Sequence, residues 1–340
     1  MHEYKHLVEV CEASRERHGD KLVYRYLRDG GDAQALGFAA LRDAAVGLAA
    51  RLQQVGARGD RALIICPQGM DYVTALWGCI YSGLVAVPAY APRNSHHAER
   101  LRTIIESAQA RVVLLSSRQL RAVRSIDEKQ GMLASLRWVV VDDPASDEVP
   151  ADAWVPPAIE PDDLALLQYT SGSVKAPRGV MVSHRNMLAN QAMIRRAFGH
   201  GPDTTAVLWL PLFHDMGLVS LIQGVYSGYS SHLLSPLEFL TRPLRWLEAI
   251  TELRGTITAA PDFAYRLCVE KIRDEQLAQL DLSSLVTAIN GAEPVSPANL
   301  DAFARRFAAC GFRRSAFFPS YGLAEATLLV TGRRPAGRRG

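Results

Sequence analysis

Residues 169–179, YTSGSVKAPRG, bring hydroxyl groups, glycines and cations together in one short segment. Hydroxyls, together with backbone N–H groups exposed around Gly172, could bind phosphate oxygens from several directions, and cations would add charge. The side chains that would do so belong to Thr170, Ser171, Ser173, Lys175 and Arg178. The segment lacks the GxxxxGK(S/T) spacing of a Walker loop. From these residues alone, a phosphate-binding loop and a flexible Ser/Gly surface loop both remain open.

Two further motifs each suggest a ligand site, and each also allows a simpler interpretation. In WLPLFHDMGL, 209–218, His214 follows an apolar run and could lie at the mouth of a pocket. A lone histidine in such a place is more often a hydrogen-bonded structural residue than a catalyst. INGAEPVSP, 289–297, ends a predicted strand and turns through Gly291 and Pro294. Open α/β sheets bind ligands beyond the carboxyl ends of their strands, although an ordinary strand-to-helix turn also fits.

The fourth motif, FFPSYGLAEAT at 317–327, combines an aromatic residue, a glycine and an acid. Tyr321 could offer a flat face to a planar base, and Gly322 would allow close approach. Glu325 could supply an oxygen ligand to a magnesium ion bound on phosphates. The same residues also fit a helix start, with Ser320 as its cap and Glu325 as a solvated side chain.

These motifs need a scaffold, and the apolar pattern predicts one of α/β layers. Short runs rich in Val, Leu and Ile alternate with amphipathic segments of helical period, as expected for strands covered on both faces. The runs are RALIIC (61–66), RVVLLSS (111–117), RWVVVD (137–142), LALLQY (164–169), AVLWLP (206–211) and LVTAING (285–291).

The segments between the runs carry helix start and stop signals. Residues 41–55 form an apolar stripe that ends at Gly56, which fits a C-cap. A second helix is expected over 71–82 with Asp71 capping its first turn. A third is expected over 296–309, where Ser296 precedes Pro297 at the first helical position. The proline-rich, acidic segment 142–163 disfavours regular structure, so we expect a first subdomain at 1–150 and a second at 151–340.

Composition and charge argue against several classes of protein, among them nucleic-acid-binding, secreted and membrane-spanning proteins. The 340 residues are 48% hydrophobic and 21% charged, with 38 basic and 35 acidic residues well mixed, which argues against a nucleic-acid partner. The five cysteines stand far apart without metal-ligand spacing, so reduced thiols are expected. The first residues do not resemble a signal peptide, and the most apolar stretch, 77–91, is too short for a bilayer. We therefore expect a cytoplasmic protein without a transmembrane segment.

The order and combination of the four motifs resemble the adenylate-forming superfamily, which joins carboxylates to AMP using ATP and magnesium. YTSGSVKAPRG is similar to its phosphate loop, NGAEP to its adenine-binding turn and YGLAEAT to its third nucleotide motif. Within the superfamily, the chain most resembles fatty acyl-AMP ligases. The sequence phrases that support this resemblance are GCIYSGLVAVPAYAPR (78–93), LQYTSGS, WLPLFHDMGL and YGLAEATLLVTG. Acyl-CoA ligases generally differ after the VP pair and around the histidine motif. The resemblance runs from about Leu22 to Gly332.

The resemblance implies a fold and a set of site residues. The fold would be α/β and would correspond to the large N-terminal domain of such an enzyme, with two stacked α/β subdomains built on mostly parallel sheets. Whether the chain also includes part of a small β-barrel subdomain is left open. The residues expected to bind ATP are Thr170, Ser171, Gly172, Ser173, Lys175, Arg178 and Gly179 around the phosphates, and Gly291, Ala292, Glu293, Pro294, Tyr321 and Gly322 around adenine, with Tyr321 stacked on its ring. Glu325 would hold magnesium, and His214 would shape the junction between acyl tunnel and nucleotide. The expected catalytic residues are therefore His214, Glu325 and Thr170.

The phosphate loop departs from its family at three positions. Val174 stands where a second Thr is usual, Lys175 where Gly is common, and Arg178 where Lys is common. The change to Arg178 keeps the charge but alters its geometry. Losing a hydrogen bond to a charged group costs about 1.5–3 kcal/mol. We therefore expect Val174 to weaken or retune ATP use rather than abolish it.

The implied function is activation of a medium- or long-chain fatty acid, with ATP and Mg²⁺ as cofactors, and transfer to the phosphopantetheine thiol of an acyl carrier protein in polyketide, nonribosomal peptide or lipid biosynthesis. An acyl-CoA ligase and a non-catalytic nucleotide- or acyl-binding remnant are the alternatives. Family members continue past the point that corresponds to Gly340, through a ribose-binding acid, a hinge and a small C-terminal domain with a catalytic lysine. We therefore expect this chain alone to bind an acyl-adenylate analogue but to adenylate poorly.

Overall fold

The structure, a computed structural model, describes residues 4–28, 33–92, 94–143, 149–170 and 177–332. The chain divides into two compact units that interleave along the sequence. The first unit comprises residues 1–21, 37–189 and 212–214, and the second comprises 22–36, 190–211 and 215–340. Residues 37–189 fall within one unit, so the units do not correspond one-to-one with subdomains at 1–150 and 151–340, and that division stays a prediction.

The strands are short, with a few longer ones near the predicted motifs. In chain order they are β1 Leu22–Tyr26, β2 Gln34–Gly37, β3 Arg61–Ile64, β4 Val85–Pro88, β5 Val112–Leu115, β6 Arg137–Val140, β7 Leu164–Thr170, β8 Arg178–Ser183, β9 Thr205–Leu208, β10 Ser230–Leu233, β11 Ile257–Ala260, β12 Thr287–Asn290, β13 Phe317–Gly322 and β14 Leu329–Gly332. Each of the six predicted apolar runs overlaps a strand, so those predictions are confirmed.

Helices alternate with these strands as the apolar pattern predicts. They are α1 Leu7–His18, α2 Phe38–Gln53, α3 Met70–Ser82, α4 Ser95–Ala108, α5 Ser117–Gln130, α6 His184–Phe198, α7 Asp215–Ser227, α8 Pro236–Thr241, α9 Leu244–Leu253, α10 Asp262–Lys271, α11 Asp274–Leu277 and α12 Pro297–Arg306. Short 3-10 turns occur at Ala151–Ala153, Ala308–Cys310, Arg314–Ala316 and Ala324–Ala326.

The first unit is built on a sheet whose described strands follow the order β6-β5-β3-β4-β7-β8. All neighbouring pairs are parallel except β7 with β8, which pair antiparallel as a hairpin. Every residue of β4 and β5 is buried. This burial fits a parallel sheet covered on both faces, because a strand in such a sheet has no solvent side.

The second unit has a longer sheet, with the described strands in the order β14-β13-β12-β11-β9-β10-β1-β2. The strands run parallel from β1 through β10, β9, β11 and β12 to β13, and β14 pairs antiparallel with β13 at the edge. Both β11 and β12 are buried along their whole length. Two mostly parallel sheets with intervening helices confirm the predicted α/β class.

The helix boundaries correct two of the predicted caps. The second predicted helix begins at Met70 with Gly69 as its N-cap, so Asp71 is an acidic residue of the first turn rather than the cap residue. The first predicted helix ends earlier, at Gln53, and Gln54 rather than Gly56 is its C-cap. The third begins at Pro297 as predicted, and the Ser296 side chain accepts a hydrogen bond from the Asn299 N–H. It ends at Arg306, because a separate 3-10 turn covers 308–310.

The described part of the proline-rich segment, 142–143 and 149–163, has little regular structure beyond one 3-10 turn, but hydrogen bonds tie it to the first unit. Trp154 Nε1 donates to the Tyr81 carbonyl at 2.9 Å. Gln53 exchanges two hydrogen bonds with the backbone of Val155, at 2.7 and 3.1 Å. The five cysteines are free and buried, as expected for reduced thiols. Among the described residues, every helix is too short or too polar to span a bilayer.

Candidate functional site

The predicted phosphate loop joins the two strands of the β7–β8 hairpin in the first unit. Thr170, half-buried, ends β7 and lies opposite the exposed Arg178, and Tyr169 lies opposite Gly179. Tyr169 is fixed by a hydrogen bond from its hydroxyl to Ser107 Oγ at 2.9 Å. The structure therefore brings Thr170 and Arg178 together at the two ends of the loop. The predicted residues Ser171, Gly172, Ser173 and Lys175, with the departure at Val174, lie outside the described residues.

His214 is the second predicted site residue of the first unit, and it is exposed. Two buried side chains hold the backbone immediately before it. Tyr72 donates from its hydroxyl to the Leu212 carbonyl at 2.9 Å, and Gln168 Nε2 donates to the Phe213 carbonyl at 2.9 Å. Burial raises the pKa of the Tyr72 hydroxyl well above its usual value, so this group remains a neutral donor. The bonds fix the direction in which the chain presents His214.

An aromatic cluster packs beside this segment in the same unit. The ring of Tyr90 lies 5.3 Å from that of Phe213 and 5.1 Å from that of His97. Ring centroids at such separations are typical of favourable tilted or edge-to-face contacts. Tyr90 belongs to the phrase VPAYAPR, so one of the phrases that carried the resemblance contributes a ring that packs against Phe213, the residue before His214.

In the second unit, the predicted adenine-binding turn follows the end of β12. Gly291 is buried, and a Cβ there would lie 3.1 Å from the Ser320 carbonyl oxygen, so the turn sits directly against β13. Ala292 has a φ of 68°, a left-handed conformation that is uncommon for a residue with a side chain. Together with Glu293 and Pro294 it is exposed, beyond the carboxyl end of its strand.

A buried aspartate forms hydrogen bonds with the residues that flank this turn. Asp262, 5% exposed, begins α10 and accepts hydrogen bonds from Asn290 Nδ2 at 2.9 Å and from the Ser296 N–H at 3.1 Å. Asn299 Nδ2 donates to its other oxygen at 2.5 Å. Glu293 in turn accepts from the Phe263 N–H at 2.6 Å. Asp262 therefore holds the residues on both sides of 291–294, and the sequence analysis missed it.

The third nucleotide motif lies on β13 and the loop that follows. Tyr321 is 59% exposed, so its ring is available to a ligand. A Cβ on Gly322 would lie 2.2 Å from the Leu328 carbonyl oxygen, so no side chain fits there without moving the loop. Glu325 is exposed on the 3-10 turn Ala324–Ala326. The alternative in which Ser320 caps a helix is wrong, because these residues form a strand.

The pairing of β12 with β13 brings two predicted motifs together. Asn290 lies opposite Pro319 in parallel register, so the turn at Gly291 and the strand end at Tyr321 leave the same edge of the sheet. Each unit thus carries part of the predicted set: Thr170, Arg178, Gly179 and His214 in the first, and Gly291, Ala292, Glu293, Pro294, Tyr321, Gly322 and Glu325 in the second.

The carboxylate of Glu325 fits one mode of Mg²⁺ binding. In the described part of the chain, no three or more His, Cys, Asp or Glu side chains form a group that could hold a metal. Mg²⁺ is commonly held by one or two carboxylates together with substrate phosphates and water. The single exposed carboxylate of Glu325 fits that mode, because phosphates would supply the remaining ligands.

Comparison with known proteins identifies the family of this chain. The family model described as AMP-binding enzyme matches residues 11–339. The chain belongs to the AMP-binding enzyme family. One relative is the medium-chain-fatty-acid–(acyl-carrier-protein) ligase JamA of Moorena producens, which is 39% identical to this chain. The alignment covers 98% of this chain and 57% of the relative. The long-chain-fatty-acid–AMP ligase FadD32 of Mycobacterium marinum is 37% identical, over 97% of this chain and 53% of the relative.

A solved structure is similar to the AMP-binding chain throughout its length. It is a fatty acyl-adenylate ligase from Legionella pneumophila in complex with acyl adenylate and pyrophosphate. The TM-score is 0.89 with 36% identity, over 98% of this chain and 58% of the other. The chain therefore spans little more than half the length of the relatives it matches.

Proposed function

We propose that this chain belongs to a fatty acyl-AMP ligase that activates a medium- or long-chain fatty acid with ATP and passes the acyl group to an acyl carrier protein. The observation that carries the proposal is the parallel pairing of β12 with β13, by which the turn at Gly291 and the strand end at Tyr321 leave the same edge of the sheet. Support comes from the names of JamA and FadD32 and from the acyl adenylate in the Legionella enzyme.

The reaction places simple demands on the site. A carboxylate oxygen of the fatty acid attacks the α-phosphorus of ATP, a new P–O bond forms, and the bond to pyrophosphate breaks. Both substrates are anions, so the protein has to supply hydrogen-bond donors and positive charge around the phosphates rather than a nucleophile. The loop hydroxyls of Thr170, Ser171 and Ser173, with Lys175 and Arg178, match that requirement.

Two groups of residues would then position the reactants. Tyr321 would stack on adenine, and the exposed turn 291–294 would border its edge. Glu325 would hold Mg²⁺, which when bound supplies charge neutralisation at the phosphates. His214, whose backbone is fixed through Tyr72 and Gln168, would shape the junction between the acyl chain and the nucleotide.

Calorimetry with a sulfamoyl analogue of dodecanoyl-AMP tests this assignment on the chain itself. We expect binding, and we expect Tyr321→Ala to weaken it about 5- to 10-fold, since loss of an aromatic contact costs roughly 1 kcal/mol or more. Leu240→Ala is the matched control, because Leu240 is also an exposed apolar side chain of the second unit, 52% exposed. Failure of the unaltered chain to bind, or equal weakening by both variants, would contradict the proposal.

A further inference from the structure

Asn190 on α6 is a buried polar residue, 4% exposed, that reaches the loop carrying Glu325. Both belong to the second unit. Its Nδ2 donates to the Leu329 carbonyl at 3.0 Å and to the Ala326 carbonyl at 3.2 Å, and its Oδ1 accepts from the Leu329 N–H at 3.1 Å. One side-chain amide therefore binds the loop at two points, 136 and 139 residues away along the chain.

The bonds to Leu329 imitate a neighbouring strand. On one side Leu329 lies opposite Gly322 of β13. On the other side the Asn190 amide gives one hydrogen bond to the carbonyl of Leu329 and takes one from its N–H, as a paired residue of a strand would. Since β14 is the edge strand of the described sheet, this amide completes the pairing of its first residue.

The remaining bond is to Ala326, the residue next to the proposed metal ligand. Ala326 follows Glu325 and ends the 3-10 turn on which Glu325 lies. Hydrogen bonds from the Leu323 N–H to the Leu328 carbonyl at 2.9 Å and from the Thr327 N–H to the Ala324 carbonyl at 2.8 Å close the same loop. Thr327 has a φ of 73°. The Ala326 carbonyl is part-buried, and leaving it without a hydrogen-bond partner is costly, so we expect the loop to rearrange if Asn190 is lost.

We propose that Asn190 is a positioning residue that fixes the orientation of the Glu325 carboxylate and thereby sets the affinity for the divalent cation bound with ATP. The inference rests on the proposed function, in which Glu325 holds that cation. Asn190 would act on Glu325 through the backbone of the loop, because the observed contacts of its amide are to peptide groups of Ala326 and Leu329.

The test compares Asn190→Leu with Gln191→Leu. Gln191 neighbours Asn190 on α6, is fully buried, and donates to the Val219 carbonyl on α7 at 3.1 Å, so its loss removes a similar bond away from the loop. Amide hydrogen exchange is measured over 323–332. Mn²⁺ binding to the chain with a non-hydrolysable ATP analogue is measured by electron paramagnetic resonance, a readout that needs no turnover.

We expect Asn190→Leu to speed exchange over 323–332 and to weaken Mn²⁺ binding about 10-fold, a factor that corresponds to about 1.4 kcal/mol. Gln191→Leu should lower thermal stability by a similar amount and leave Mn²⁺ binding within about 2-fold of the unaltered chain. Equal Mn²⁺ affinity of Asn190→Leu and the unaltered chain, or equal weakening by both variants, would overturn the inference, as would absence of Mn²⁺ binding to the unaltered chain.

Failure of the proposed function gives a different result. If the enzyme activated no fatty acid while Asn190→Leu still weakened Mn²⁺ binding selectively, the positioning role would stand and the assigned reaction would be wrong. If fatty acid activation occurred but Mn²⁺ binding did not depend on Asn190, only the positioning role would be wrong.

Discussion

Replacing Asp262 by alanine should destabilise the second unit and loosen the turn at 291–294. The Asp262 carboxylate is 5% exposed and accepts hydrogen bonds from three donors, those of Asn290, Ser296 and Asn299. Each hydrogen bond to a charged group contributes about 1.5–3 kcal/mol, and such contributions are not additive within one network. Removing the carboxylate leaves these donors without their acceptor, and each unsatisfied donor costs about 1–3 kcal/mol, so we expect Asp262→Ala to lower the free energy of unfolding by about 3–5 kcal/mol.

The assay is thermal unfolding followed by circular dichroism. For a unit of this size, each kcal/mol shifts Tm by about 2–4 °C, so Asp262→Ala should lower Tm by roughly 6–20 °C. Asp274→Ala is the matched control. Asp274 is 83% exposed in its ion pair with Arg306 and should contribute less than about 1 kcal/mol.

Asp262→Asn separates charge from shape. It keeps the outline of the side chain but leaves one acceptor oxygen and no charge, so its Tm should lie between those of the unaltered chain and Asp262→Ala. A loss of stability in Asp262→Ala no greater than in Asp274→Ala would refute the reasoning that this carboxylate holds the turn.

Three further predictions follow from other parts of the structure. Gly322→Ala places a Cβ 2.2 Å from the Leu328 carbonyl oxygen, so the loop must move, and affinity for the acyl-adenylate analogue should fall about 10-fold by calorimetry; an unchanged Kd would argue against this. Burial lowers the pKa of His184 to about 4 and of His200 to about 3. In the unfolded chain both imidazoles become protonated near pH 6.5, whereas in the folded chain they stay neutral to lower pH. The stability that they contribute above pH 6.5 is therefore lost as the pH falls toward 4, by roughly 2 kcal/mol for each histidine at about pH 5. Equal urea midpoints at about pH 7 and pH 5 would contradict this. Val174→Thr restores a hydroxyl to the phosphate loop and should lower the KM for ATP several-fold in the complete natural protein, and an unchanged KM and turnover would show that the valine has no effect.

Local signals predicted the elements that depend on neighbouring residues. The strand at 287–290 and the helix start at Ser296 and Pro297 follow from an apolar run and a capping pattern within a few residues of each other, and both are confirmed. Asp71 shows the limit of the same reasoning. Its type suits a cap, but the chain enters the helix one residue earlier, after Gly69 with a φ of 148°.

The supports of the candidate site could not be predicted in this way. Asp262 meets Asn290 across 28 residues, and Asn190 meets the Glu325 loop across 136 or more. Such contacts leave no period or spacing in the sequence, because they exist only once the strands have paired. The motifs themselves were visible because their residues are neighbours, whereas the residues that hold them in place are brought together only by the fold.

Acceptor choice in the complete natural protein tests the central claim most directly. The protein is incubated with ATP, Mg²⁺ and dodecanoic acid, and the products are identified by mass spectrometry with holo acyl carrier protein or with CoA added. The proposal predicts dodecanoyl-AMP that disappears when carrier protein is added, with the acyl group recovered on its phosphopantetheine thiol. Dodecanoyl-CoA as the main product would establish an acyl-CoA ligase instead, and absence of any acyl-AMP would contradict the proposed activation of the fatty acid.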